Sequence, residues 1–153
     1  MKNEAYINGK WTSGSKTFTV YNKATNQELG NVPDLGGAET RAAIDAAATA
    51  FKSWSKTSSK ERHDLLLKLF AKLEENTLDL AHIIVAENGK ALAEAKGEIT
   101  YSNSFISWFA EEAVRTYGHT VPAPLPGVRN VIIKEPVGVA GIITPWNVSR
   151  SAL

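Results

Sequence analysis

The chain has no cysteine in its 153 residues. That excludes disulfides, thiolate-held metals and a cysteine nucleophile supplied by this chain. Neither sign of charge prevails: 17 Lys and Arg stand against 16 Asp and Glu, for a net charge of +1. Attachment to nucleic acid or to a membrane surface through bulk electrostatics is therefore not expected. No apolar run approaches the ~18 residues of a membrane span. No apolar segment follows Met1-Lys2-Asn3-Glu4, so no secretory leader is read, and a cytoplasmic location is the expectation. The three histidines, His63, His82 and His119, have no metal-like spacing and form no HExxH pattern. They read as partly exposed helix or loop residues, and no metal is expected. Internal repeats and low-complexity segments are also missing. What remains is ordinary globular composition in a length suited to one domain, which buries roughly 68–70% of its unfolded surface.

Along the chain, Tyr6, Ile7 and Trp11 surround the turn dipeptide Asn8-Gly9, which predicts a short hairpin over residues 5 to 12. Thr17-Phe18-Thr19-Val20-Tyr21 reads as a strand, 22–26 as its turn, and 29–32 as the return strand before Pro33-Asp34. Together these suggest a small β-ribbon. Gly36-Gly37 then precedes a helix whose apolar positions Ile44, Ala47, Ala48, Phe51 and Trp54 recur in the three- and four-residue steps of a buried stripe. Ser58 with Glu61 three residues on fits a capping box for a second helix, with Leu65, Leu66, Leu69, Phe70 and Leu73 as its apolar face. Asn76 is expected to cap a third helix burying Leu80, Ile83 and Ile84 and ending in a left-handed turn at Asn88-Gly89. The pattern from 91 to 115 is again helical, through Leu92, Ile99, Phe105, Ile106, Phe109 and Val114, with Gly118 as its stop. The acidic pairs Glu74-Glu75 and Glu111-Glu112, beside Lys72 and Arg115, read as solvated charge and not as acid–base machinery.

Pro122, Pro124, Pro126 and Gly127 make a turn-rich connection to an exposed strand over 128–135, with Val131 and Ile133 on one face. The chain then reaches a run of seven small or apolar residues, Val137 to Ile143, bounded by Pro136 and Pro145. Apolar on both faces, it reads as a buried strand of a parallel sheet. Pro145 cannot donate to a ladder, so Trp146 and Asn147 lie just beyond the strand's carboxyl end, where open α/β sheets bind ligands. Taken bare, an asparagine after a strand is usually a turn or helix cap. Gly138-Val139-Ala140-Gly141 lacks the GxGxxG spacing of a dinucleotide fingerprint, so its glycines read as allowing close packing. One strand cannot make a sheet, so its neighbours must come from other sequence.

Several of these stretches carry a resemblance. Gly141-Ile142-Ile143-Thr144-Pro145-Trp146-Asn147 resembles the start of the cofactor-binding signature of the aldehyde dehydrogenase superfamily. Tyr6-Ile7-Asn8-Gly9-Lys10-Trp11 resembles that family's amino-terminal strand, and Lys134-Glu135-Pro136-Val137-Gly138-Val139 its approach to the first nucleotide-binding strand. Tyr117 to Pro122 and Arg129 to Ile133 are most similar to the succinate-semialdehyde dehydrogenase branch. The resemblance covers residues 5 to 147.

It implies an α/β fold, here the amino-terminal part of the cofactor-binding domain, with an oligomerisation-arm strand near 120–135 that pairs with another subunit. It implies NAD or NADP as cofactor, lined by Ile143, Thr144, Pro145 and Trp146, and a small aldehyde as substrate. Asn147 takes the catalytic role, donating its amide to the oxygen of the thiohemiacetal formed on the aldehyde; a neutral donor of this kind supplies ~2.7–4 kcal/mol. The family's nucleophilic cysteine, general-base glutamate and ribose-holding lysine lie beyond this point of the pattern. The chain alone is accordingly expected to be inactive. Residues 148–153 diverge from the family pattern, which continues Phe-Pro after the asparagine; a translated intron after Asn147 would produce such a tail. Two other readings stand beside the enzyme part: a non-catalytic subunit-like partner of a full-length enzyme, and a non-functional product.

Overall fold

In the computed structural model, residues 3–145 are described. Ala5–Ile7 (β1) and Lys10–Thr12 (β2) pair antiparallel, with Tyr6 opposite Trp11. Asn8 and Gly9 have φ of 51° and 75°, the two positive values a type I′ turn needs. The Tyr6 and Trp11 rings meet edge to face at 5.1 Å, a cross-strand pair that secures a very short ladder. Thr17–Tyr21 (β3) and Glu28–Pro33 (β4) form a second hairpin. Asn22 closes it, its Oδ1 accepting the N–H groups of Ala24 and Thr25 at 2.9 and 3.0 Å. The expected ribbon is thus two separate two-stranded sheets.

Four helices follow: Gly37–Trp54 (α1), Ser59–Glu75 (α2), Thr77–Asn88 (α3) and Leu92–Ala113 (α4). The predicted capping box is present. Ser58 Oγ accepts the Glu61 N–H at 3.1 Å, and the Glu61 carboxylate accepts the Ser58 N–H at 3.3 Å. Gly89 ends α3 at φ 75°. Asn76 does not cap α3 as expected; its Nδ2 donates to the Lys72 carbonyl at 2.7 Å. The residue is at once the end of α2 and the start of α3, and its φ −105°, ψ 15° lies outside the extended region a side-chain N-cap uses.

The core lies between α3 and α4, where Ala81 and Ile84 meet Ala95 and Ile99, with Leu80 and Val85 packed against them. Further along α4, Asn103 and Ala110 are buried as well, so the inward stripe steps 95, 99, 103, 110. Leu66, Phe70 and Leu73 of α2 are half-buried. Other predicted faces are not covered. Ile44, Ala47, Ala48 and Trp54 of α1, Leu65 and Leu69 of α2, and Leu92, Phe105, Phe109 and Val114 around α4 are exposed. The helical period was read correctly at these positions, but a stripe is buried only where another surface meets it. Among the described residues none does.

His119–Pro122 (β5) and Arg129–Ile132 (β6) form a third hairpin, with His119 opposite Ile132 and Pro122 opposite Arg129. Every residue of both strands is exposed. Gly118, just before β5, is a steric necessity: a Cβ there would fall under 3.0 Å from the Ile132 carbonyl oxygen. The expected buried strand over Val137–Ile143 is not observed. The segment belongs to no ladder, and Val137, Ile142 and Ile143 are almost wholly exposed. The reason is the one its sequence anticipates: a strand's N–H and C=O groups need a neighbouring strand, and no described residue provides one. Gly138 and Gly141 meet no close neighbour either; Gly138 instead takes φ 121°, open to glycine.

Candidate functional site

Of the five residues singled out from the sequence, Ile143, Thr144 and Pro145 are described, while Trp146 and Asn147 lie outside the described residues. Ile143 is fully exposed, Thr144 is half-buried and Pro145 is exposed. None has a titratable side chain, so any polar contact there rests on the Thr144 hydroxyl and on backbone groups. A dinucleotide is normally enclosed by concave walls. The described residues present no facing wall to Ile143–Pro145, and by themselves they do not fit a nicotinamide cofactor.

At the other end of the same segment, Lys134, Glu135, Pro136 and Gly138 face the corner between α1 and α2 across a cavity. A cleft of about 560 Å³ opens there, floored by Phe51, Trp54 and Pro136 and edged by Thr57, Arg62 and Lys134. Arg62 is fixed on its rim by donating Nη1 to the Thr57 carbonyl at 2.5 Å.

The electrostatics that sequence reasoning missed lie on the seam of α2 and α4. His63 Nδ1 is 3.0 Å from Asp64 Oδ1, and its Nε2 is 3.3 Å from Glu111 Oε1 on α4. Hydrogen bonding to Asp64, then to Glu111, raises the imidazole above its ordinary range. The Lys60 ammonium, 2.7 Å from Asp64, and then His63 hold that carboxyl below its usual range. Asn103, buried on α4, donates Nδ2 to Glu74, so Glu74 is not merely solvated. Glu112 pairs with Arg115 at 2.8 Å on the surface, as the sequence suggested. The signal available for the seam was one histidine and two glutamates at helical spacing, which says nothing about contact between helices. No group of His, Cys, Asp and Glu among the described residues could hold a metal ion.

Residues 11–152 match the profile of the aldehyde dehydrogenase family. The chain belongs to that family. It is 49% identical over 148 residues to a glutarate-semialdehyde dehydrogenase of Pseudomonas putida, covering 95% of this chain and 31% of that protein. It is 47% identical to the NADP(+) succinate-semialdehyde dehydrogenase of Escherichia coli, again over 95% of this chain and 31% of that protein. Among solved structures, an E. coli NADP-dependent enzyme superposes with a TM-score of 0.94 at 46% identity, covering 96% of this chain and 31% of that one. A Staphylococcus aureus betaine aldehyde dehydrogenase, crystallised with NAD+, superposes at 0.92 with 28% identity, over 96% of this chain and 30% of that one. The chain thus spans about a third of the length of the relatives it matches. It has the amino-terminal part of the aldehyde dehydrogenase fold.

No helix among the described residues is long and apolar enough to cross a membrane.

Proposed function

We propose that this chain forms the amino-terminal part, residues 1–147, of the cofactor-binding domain of an NAD- or NADP-dependent enzyme. The enzyme oxidises succinate semialdehyde or a similar aldehyde to its acid. The observation that carries the substrate class is the 46–49% identity to glutarate- and succinate-semialdehyde dehydrogenases across 95–96% of the chain. Both substrates have an aldehyde at one end and a carboxylate at the other.

Within such an enzyme, Asn147 donates its amide to the developing oxyanion, and Ile143, Thr144, Pro145 and Trp146 form one lip of the cofactor site. The cysteine nucleophile comes from outside this chain, which has no cysteine. Val137–Ile143, apolar on both sides and unpaired here, becomes a strand once neighbours reach it. Residues 148–153 form a separate tail in this reading.

The test joins residues 1–147 to the remainder of the E. coli succinate-semialdehyde dehydrogenase and compares that chimera with the 153-residue chain alone. The chimera is expected to reduce NAD or NADP with succinate semialdehyde, and Asn147→Ala in it to lose about 10²–10³ in kcat. The chain alone is expected to give no reduction. Turnover by the chain alone, or a folded chimera indifferent to Asn147→Ala, would overturn the proposal.

A second reading is supported by β5 and β6, whose outer edges carry no partner strand. Exposed edges of this kind take up strands from other chains. In that reading the arm near 120–135 pairs with a full-length subunit or a second copy. Co-purification of the chain with the full-length E. coli enzyme would support it; separate elution at micromolar concentration would dispose of it.

A further inference from the structure

His63 is the one described histidine that links two helices. It projects from the first turns of α2, its side chain 21% exposed, and meets carboxylates at both ring nitrogens. One, Asp64, belongs to α2 and is already held by Lys60; the other, Glu111, belongs to the last turn of α4. Glu112 and Arg115, which pair with each other, complete the charged groups on the α4 side. A neutral imidazole carries one N–H and can donate to only one carboxylate. The protonated ring carries two and satisfies both.

The position gives this a consequence. Arg62, the preceding residue, lines the same cleft as Lys134, Glu135, Pro136 and Gly138. The last turn of α4 leads within five residues to Gly118 and the β5–β6 arm. The His63–Glu111 link therefore joins the helix end beside that cleft to the helix end that leads into the β5–β6 hairpin.

We propose that His63 is a proton-operated clip: protonated, it fastens the amino end of α2 to the carboxyl end of α4, and deprotonation releases that end of the seam. The raised imidazole pKa sets the sign. The clip's contribution is fully present below the unfolded histidine's pKa and is lost as pH rises through the higher folded one. Asp64 does not reverse this, because Lys60 and His63 keep it ionised throughout that window.

The experiment is amide hydrogen exchange on the 153-residue chain, corrected for intrinsic rates, with an NMR titration of the His63 ring. Protection of the amides of residues 110–113 is expected to fall by about two- to five-fold above the His63 midpoint, the range an exposed ion pair supplies. His63→Gln, which keeps a hydrogen-bonding side chain without titrating, should leave protection flat with pH. Glu111→Gln should lower the His63 midpoint while the fold persists. PH-independent protection in the unsubstituted chain, the same pH dependence in His63→Gln, or an unmoved midpoint in Glu111→Gln would each overturn the proposal.

Discussion

Gly118→Ala separates a steric requirement from a packing one. The added Cβ would clash with the Ile132 carbonyl oxygen at well under 3.0 Å, with the Ile132 carbonyl carbon at 3.4 Å and Ile133 Cα at 3.6 Å. All three are backbone atoms, so no flexible side chain can swing away; β6 itself must move. Overpacking of this kind costs ~1–3 kcal/mol. The displaced atom sits in the first rung of the β5–β6 ladder, where His119 pairs with Ile132. An isolated two-stranded hairpin is marginal in water, so that cost is enough to unpair the arm. The core between α3 and α4 lies elsewhere and should be untouched. The assay is residue-resolved hydrogen exchange together with thermal melting. Exchange should accelerate at the amides of 120, 121 and 129–132, while the helical melting temperature stays within about 2 °C, since ~1 kcal/mol at a site the helical core uses would move it further. Gly97→Ala is the control: a Cβ there meets nothing within 4 Å on helix α4. It should stabilise by about 0.5–1 kcal/mol. Retained arm protection in Gly118→Ala would refute the steric reading.

Other perturbations test the fold's separate supports. Ile99→Ala empties the centre of the buried cluster and should cost ~2–5 kcal/mol in denaturant unfolding. Ser58→Ala removes the acceptor of the Glu61 N–H and should cost about 1 kcal/mol, with Ser58→Thr largely retaining stability. Glu39, whose carboxyl is held below its usual range by its own N–H and then by that of Gly36, gives a pH signature. Its contribution is present above the unfolded glutamate's pKa and lost as pH falls through the lower folded one. Glu39→Gln should remove that part of the acid dependence of α1 helicity, measured by circular dichroism between pH 7 and 2.

The β1–β2 turn, the capping box at Ser58 and the left-handed stop at Gly89 were legible in the sequence because each is decided within four or five consecutive residues. The helices were legible by their period. Ile84 on α3 and Ile99 on α4 were read correctly as buried, while Leu80 and Ile83 are half-buried and the fully buried Ala81 was missed; the stripe of α1 and the aromatic positions Phe105 and Phe109 are mostly exposed, because burial depends on what lies opposite. Asn76 was misread for a related reason: its side-chain amide could accept from the free N–H groups that open α3 or donate to the free carbonyls that end α2, and backbone geometry chose the second. Asn103, a polar residue in the middle of an apolar stripe, gave no sign that Glu74 of α2 would meet it.

The site divides in the same way. By itself the sequence determined the family, through motifs whose residues are contiguous, and it determined that no cysteine nucleophile comes from this chain. Those are facts of composition and order that no folding can change. Only the tertiary structure decided that His63 bridges two helices, that residues 134–136 and 138 share a cleft with the α1–α2 corner, and that Val137–Ile143 stands unpaired. Contacts between distant residues are set by how helices pack and by which backbone groups find partners, and a strand without a neighbour has nowhere to place its hydrogen bonds.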